Sequence, residues 1–130
     1  MNRTIKFRAK NPRGEWIYGS LVSAGMPDVD PAIYFPHKQG SVTTMRWVYV
    51  DKDSIGQFTS LYDMDHKEIY EGDILQIRDG SDPIEVRFVR GIFAFLINGD
   101  YDDELTTNAP TQEWAKVIGN IHDNPKIIKR

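Results

Sequence analysis

Cysteine is the most informative absence in this 130-residue chain, which contains none. The protein therefore has no disulfide, no zinc–thiolate site and no cysteine nucleophile, and we expect it to work in a reducing compartment. The longest apolar run, Ile92 to Ile97, is far shorter than the about 20 residues that cross a bilayer. The first ten residues alternate charged and apolar side chains, so we expect no secretory signal and a soluble, cytoplasmic protein.

Motifs for catalysis are missing as well. The sequence contains no G-x-S-x-G elbow, no glycine-rich phosphate loop and no nucleophile placed beside a base. Acid–base catalysis would need two carboxylates whose surroundings separate their pKa values, and a sequence alone does not show which carboxylates are buried. We therefore expect a non-catalytic protein that works without a cofactor.

The spacing of potential metal ligands matches neither an EF-hand loop nor a histidine zinc motif. An EF-hand loop needs oxygen ligands at its first, third and fifth positions, glycine at the sixth and a bidentate glutamate at the twelfth. A loop starting at Asp63 has lysine at its fifth position, glutamate at its sixth and Ile74 at its twelfth. The three histidines lie far apart, without H-x-x-x-H spacing: His37, His66 and His122. We expect no metal site.

The pattern that dominates the chain is period-2 alternation in short pieces, without sustained 3.6-residue periodicity. Residues 4–10 and 15–22 predict a hairpin around the turn Asn11–Gly14. Residues 45–50 are aromatic and β-branched, which favours a further strand. A meander of four more strands is predicted at 73–78, 84–90, 92–97 and 116–121.

Proline and glycine mark the predicted loops. Residues 23–40 hold three of the seven prolines, and we expect a loop there with at most one short strand, Ala32–Phe35. After Pro110 the sequence is compatible with one helical turn, with Thr111 as its cap.

These elements together predict a mainly-β fold. We expect an N-terminal hairpin or sheet packed on a small SH3-like barrel meander over roughly residues 69–121. The whole chain, residues 1–130, is expected to form one domain, with a subdivision into 1–55 and 56–130 as the alternative.

The most patterned stretch is "GQFTSLYDMDHKEIYEGDIL", residues 56–75, which contains five carboxylates. We interpret it as two polar reversals that lead into strands. Gly72 would supply backbone freedom for the second reversal, and Asp73 would bond a nearby amide. The carboxylates are expected to face water, and the apolar residues of this region to form core: Ile69, Tyr70, Ile74 and Ile77.

Charge is unevenly distributed although the net charge is only −3. Residues 1–16 sum to +4, whereas residues 61–105 hold twelve carboxylates and sum to −8. The plainest interpretation is that the basic ends pair with the acidic middle inside one fold or oligomer. Such segregation can also steer a partner, or let the acidic middle imitate nucleic acid towards a DNA-binding protein.

At these motifs the chain resembles the YopX family of phage and prophage proteins. The resemblance rests on "IKFRAKN…GEWIYG", on "VIGNIHDNP" and above all on the central "QFTSL-D-KEIYEGDI". Two departures are Ser60, where the family has glycine, and "MDHK" in place of an Asn-Gly turn. The resemblance implies a mostly-β protein of a bacterial host cell, without an established activity. The residues expected to form its structural motif are Gln57, Asp63, Tyr70, Glu71, Gly72 and Asp73.

Two functions of different classes remain open. The first is binding to another protein or to a second copy of itself, with Tyr34, Phe35 and Tyr62 as the partner surface. The second is nucleic-acid binding, because basic and aromatic residues interleave near both ends of the N-terminal region. Its candidate residues are Lys6, Arg8, Arg46 and Trp47.

The nucleic-acid interpretation competes with a simpler one, in which the aromatic residues of this region are core. Those residues are Phe7, Trp16, Trp47 and Tyr49. The net negative charge of the whole chain also opposes binding to a phosphate backbone. We therefore expect protein binding, with nucleic-acid binding as the alternative.

Overall fold

The computed structural model describes residues 3–23, 28–103, 106 and 110–128. Its strands form antiparallel sheets, so the prediction of a mainly-β fold is confirmed. The chain divides into two compact units, Met1–Phe58 (unit 1) and Thr59–Arg130 (unit 2). The division lies close to the predicted subdivision between residues 55 and 56.

Unit 1 is built on one antiparallel sheet. Its strands are β1 (Phe7–Lys10), β2 (Trp16–Val22), β3 (Ala32–Gln39), β4 (Val42–Tyr49) and β5 (Gly56–Tyr62), the last of which continues into unit 2. The spatial order is β4-β3-β2-β1-β5. A short 3-10 turn, Lys52–Ser54, precedes β5, and the side chain of Asp51 caps it by accepting the N–H of Asp53 at 3.0 Å.

The two faces of this sheet differ. Side chains of a strand alternate between faces, and one face packs around Ala9, Ile33 and Val50. Further apolar side chains support this core: Ile17, Leu21, Val48 and Ile55. We call the opposite side of the sheet the outer face. It receives the residues of opposite parity, and the candidate interaction surface lies on it.

The proline-containing segment is more regular than the sequence suggests. The expected loop with a short strand at 32–35 is wrong, because β3 extends to Gln39 and pairs with all of β4. Pro36 lies opposite Met45, whereas the N–H of Val50 bonds the carbonyl of Pro31. In an antiparallel pair such bonds recur at every second residue, so position 36 is not required to donate to β4. The strand tolerates its proline for this reason.

Unit 2 contains the predicted meander. Its elements are β6 (Glu68–Tyr70), β7 (Asp73–Gln76), β8 (Ile84–Val89), β9 (Ile92–Ile97), β10 (Asp100–Tyr101), the helical turn α1 (Thr111–Trp114) and β11 (Lys116–Asn120). Five of the strands form a sheet in the order β10-β9-β8-β7-β11, and β6 lies beside β5. The sheets are not closed into a barrel, as an SH3-like fold would require. With only two residues, β10 offers too little edge to close one.

The core of unit 2 lies between this sheet and α1. It consists of Ile69, Leu75, Ile84, Val86, Phe95 and Ala115. The ring of Trp114 packs edge-on against Phe95, with 5.7 Å between ring centroids. Tyr70 and Ile74 are buried as expected. Ile77 was predicted as core and is exposed instead, because β7 ends one residue before it.

The helical turn is present, but its cap differs from the prediction. Thr111 is the first helical residue and Pro110 is the cap position, where no side-chain hydrogen bond forms. The buried hydroxyl of Thr111 donates instead to the carbonyl of Tyr62, at 2.8 Å. Thr111 therefore fixes α1 to the end of β5 rather than capping the turn.

Candidate functional site

Two carboxylates of the acidic stretch are buried, contrary to the expectation that all of them face water. Asp63 and Asp73 expose 1% and 2% of their surface. A buried carboxylate is costly unless hydrogen bonds replace its water. Both side chains meet this requirement through backbone amides, so each has a structural explanation.

Asp63 accepts three backbone amides. Its Oδ1 receives the N–H groups of Asp65 and Lys67, each at 2.9 Å, and its Oδ2 receives the N–H of Val117 at 3.0 Å. The first two bonds close the reversal between β5 and β6. The third reaches β11, which lies 54 residues further along the chain. One side chain therefore joins a local turn to the far edge of the unit 2 sheet.

These amides determine the ionisation of Asp63. Burial by itself would raise the pKa of this carboxyl, but the N–H groups of Val117, Lys67 and Asp65 lower it, as does the charge of Lys67. The net effect places the pKa below its ordinary value of 3.8. Hydrogen bonds to the ionised form are the usual cause of such a depression.

A pH dependence follows. Because the folded-state pKa is depressed, the ionised side chain stabilises the fold above its unfolded-state pKa of about 3.9, and this stabilisation is lost as pH falls through the folded-state value. We expect the difference in urea midpoint between wild type and Asp63→Asn to be largest at pH 7 and to shrink by pH 2–3. A difference independent of pH between 7 and 2 would contradict this account.

The second reversal is organised around Gly72 and Asp73. Gly72 has a φ of +93°, a region that favours glycine. Its N–H donates to Val86 at 2.8 Å, and its carbonyl accepts the N–H of Ile121 at 2.9 Å. Asp73 Oδ2 accepts the N–H of Tyr70 at 2.7 Å.

The other residues of the predicted structural motif lie around these reversals. The hydroxyl of Tyr70 donates to Glu68 at 3.0 Å, and Glu71 occupies the turn before Gly72, where it is half-buried. Gln57 pairs with Phe7 across β5 and β1, in unit 1. Within the described ranges, no group of three or more histidines and carboxylates is placed to hold a metal ion.

The two buried carboxylates of the acidic stretch, Asp63 and Asp73, accept backbone N–H groups and so stabilise its two reversals.

The clearest candidate for interaction is an aromatic cluster on the outer face of unit 1. We define it as Tyr34, Trp47 and Tyr49. The rings of Tyr34 and Trp47 stack at 6.1 Å, and Tyr49 meets Trp47 edge-on at 4.9 Å. Trp47 and Tyr49 are 47% and 53% exposed, so the interpretation of these two residues as core is wrong. The neighbouring Met45 is 59% exposed and has the same strand parity.

The predicted nucleic-acid residues do not share one face. Arg8 and Trp47 lie on the outer face by strand register, whereas Arg46 precedes Trp47 on β4 and points to the opposite side. Arg8 stacks over the ring of Trp16 at 4.6 Å, with Lys10 over the same ring at 5.4 Å. Lys6 lies 5.6 Å from the ring of Phe58. These cations contact unit 1's own aromatic rings.

The predicted partner surface is also divided. Tyr34 and Phe35 are both half-buried, and because they are adjacent on β3 they point to opposite faces. Tyr62 is half-buried in unit 2. Of these three residues, Tyr34 alone belongs to the aromatic cluster.

The two units carry net charges of opposite sign. Unit 1 contains eight basic and five acidic residues, a net charge of +3. Unit 2 contains eight basic and fourteen acidic residues, a net charge of −6. The aromatic cluster therefore belongs to the positively charged unit.

Unit 2 has a separate groove that sequence reasoning missed. Its volume is about 550 Å³, and it is lined by two arginines, Arg87 and Arg90, and by Val89, Ile92, Leu96 and Tyr101. Arg87 is engaged by the buried Glu85 through two hydrogen bonds of 3.0 and 3.1 Å. The groove is mainly apolar, and of its two guanidinium groups that of Arg87 is paired with the carboxylate of Glu85. Glu85 and Arg87 are two residues apart on β8, a spacing that places them on one face of the strand, and this is the sequence signal that could have found the pair.

Comparison with known proteins identifies the family. A family model described as YopX protein matches residues 6–129, so the chain belongs to the YopX family. The crystal structure of protein EF1440 from Enterococcus faecalis is similar, with a TM-score of 0.67 and 21% sequence identity. The match covers 98% of this chain and all of the other, and it shows a shared fold. No curated protein matches the sequence. The helix that the structure describes is too short to cross a membrane.

Proposed function

We propose that this YopX-family protein is a non-catalytic binding protein, and that a protein partner docks on the outer face of unit 1. The aromatic cluster is the observation that supports the proposal. Isolated exposed apolar residues are common on protein surfaces, but a contiguous group indicates an interaction site. Aromatic residues and methionine are also the types enriched at the centre of protein interfaces.

The distribution of charge favours a protein over a nucleic acid. Arg8 and Lys10 stack on Trp16, and Arg46 points away from the outer face. Arg13 is the cation that lines a pocket together with Trp47 and Tyr49. A site for single-stranded nucleic acid would instead combine stacking rings with cations along the strand path. We extend the proposal to a phage- or prophage-encoded accessory protein that acts in the cytoplasm of a bacterial host.

The experiment compares variants in capture from a nuclease-treated bacterial host lysate. The test variant is Trp47→Ala combined with Tyr49→Ala, and the matched control is Phe88→Ala, since Phe88 is 50% exposed in unit 2. We expect wild type and control to retain the same protein, and the double variant to retain at least about ten-fold less, the effect of losing about 1.4 kcal/mol. Equal capture by all three would overturn the proposal.

Nucleic-acid binding is the second candidate, favoured by the net charge of +3 on unit 1 and by the stacked rings of Tyr34 and Trp47. Fluorescence anisotropy with labelled single- and double-stranded oligonucleotides at low salt tests it. Micromolar binding that weakens with salt and is lost in Trp47→Ala would support this candidate. Absence of binding at micromolar protein would eliminate it.

A further inference from the structure

Strand β4 lies at one edge of the unit 1 sheet. Near its C-terminal end, Asn11, Pro12 and Arg13 line a pocket together with Trp47, Val48 and Tyr49. Among the strands that the structure describes, its hydrogen-bonded neighbour is β3 alone. The strand is eight residues long, and its pairing with β3 runs without a bulge from Val42 to Tyr49. Edge strands are normally protected by proline, lysine, bulges or short length. β4 has none of these features, and Arg46 is its one charged residue.

The register shows which backbone groups point outward. The N–H of Val50 bonds the carbonyl of Pro31, so the bonds between β3 and β4 fall at even-numbered β4 residues. The N–H and C=O groups of the odd-numbered residues therefore point away from β3; these residues are Thr43, Met45, Trp47 and Tyr49. The side chains of these same residues are exposed on the outer face.

We propose that β4 pairs antiparallel with β4 of a second copy of this chain. A strand that fits this edge must be extended over about seven residues, lack proline and glycine, and place no positive charge opposite Arg46. β4 meets all of these conditions. The inference goes beyond the proposed function, since it depends on the backbone edge and not on the partner of the aromatic cluster.

A two-fold axis at Met45 gives the register. In this arrangement Met45 lies opposite Met45 of the second copy, and Trp47 lies opposite its Thr43. Arg46 then faces Thr44, a neutral residue. The alternative centred on Arg46 would place the two guanidinium groups directly opposite each other, which is unfavourable. In this register odd-numbered residues lie opposite odd-numbered residues of the second copy. The outer faces of both copies therefore lie on the same side of the joined sheet.

The first test is sedimentation equilibrium of the full chain over a range of concentrations. We expect a reversible dimer for wild type. Met45→Pro removes an outward N–H without removing a bond to β3, so its dimerisation should be at least about ten-fold weaker. Met45→Ala, which keeps that N–H, is the matched control and should still dimerise. Circular dichroism establishes that each variant folds.

The second test uses the absence of native cysteine. Directly opposed residues that exchange hydrogen bonds lie about 5.5 Å apart at Cα, within the range a disulfide spans. Met45→Cys should therefore form a disulfide-linked dimer under mild oxidation. Thr43→Cys should not, because the two positions 43 would lie four residues out of register, roughly 13 Å apart.

Three results would overturn the inference. They are a monomer at every concentration without cross-linking, a dimer that folded Met45→Pro leaves intact, or equal cross-linking at positions 43 and 45. None of these measurements includes another protein. Their failure is therefore distinguishable from failure of the partner-binding proposal.

Discussion

Replacing Asp63 by alanine is expected to lower the free energy of unfolding by about 3 to 5 kcal/mol. The change removes the acceptor for three backbone amides, those of Asp65, Lys67 and Val117. Each buried donor left without a partner costs about 1–3 kcal/mol, and water can reach part of the exposed turn. Urea denaturation at pH 7, followed by circular dichroism, measures the effect.

Two other variants show whether the effect comes from those bonds. Asp63→Asn keeps an oxygen for the two turn amides and places an NH₂ group against the N–H of Val117, so we expect an intermediate loss of about 1–3 kcal/mol. Asp65→Asn alters an exposed carboxylate in the same turn and should change stability by less than about 0.5 kcal/mol. Unchanged stability in Asp63→Ala would mean that the buried carboxylate is not structural.

The second large effect is expected at Gly19 on β2. A Cβ atom at this position would overlap the backbone carbonyl oxygen of Tyr34 and lie 3.1 Å from Cγ2 of Ile33. Because a backbone carbonyl in a paired strand cannot swing away as a side chain can, β2 and β3 would have to separate. We expect Gly19→Ala to destabilise the protein by about 3 kcal/mol, the upper part of the range for overpacking.

Ser20→Ala is the matched control for this variant, since Ser20 is the next residue on the same strand and is exposed. Its expected effect is below about 0.5 kcal/mol. Thermal unfolding of both variants provides the comparison. A Gly19→Ala protein as stable as the control would show that β3 does not approach β2 as closely as described.

The sequence predicted where most of the strands lie, but it did not predict which polar side chains are buried or whether the sheets close. Period-2 alternation located the hairpin β1–β2 and the meander β7–β8–β9, because each strand has its own local pattern. The burial of Asp63 was missed because one of its partners, Val117, is brought to it by the fold and not by the turn. Whether a sheet closes into a barrel depends on which strand edges pair with each other, and the alternation of apolar and polar residues does not show this pairing.

The aromatic cluster could not be recognised as a surface from the sequence for a different reason. In β4 both parities contain apolar residues near the C-terminal end, with Val48 on one face and Trp47 and Tyr49 on the other. Alternation therefore did not show which side is core. Pro36 concealed β3 in the same way, because a proline at a position without a ladder bond looks identical in sequence to one in a loop.

The most direct test of partner binding is site-specific photo-cross-linking in host cells. A photoreactive phenylalanine analogue replaces Trp47 in one variant and Phe88 in the control. The account predicts an adduct to a protein other than a second copy at position 47, resistant to nuclease, absent at position 88 and reduced when Tyr34→Ala is added. No adduct at position 47, or the same adduct at both positions, would contradict it.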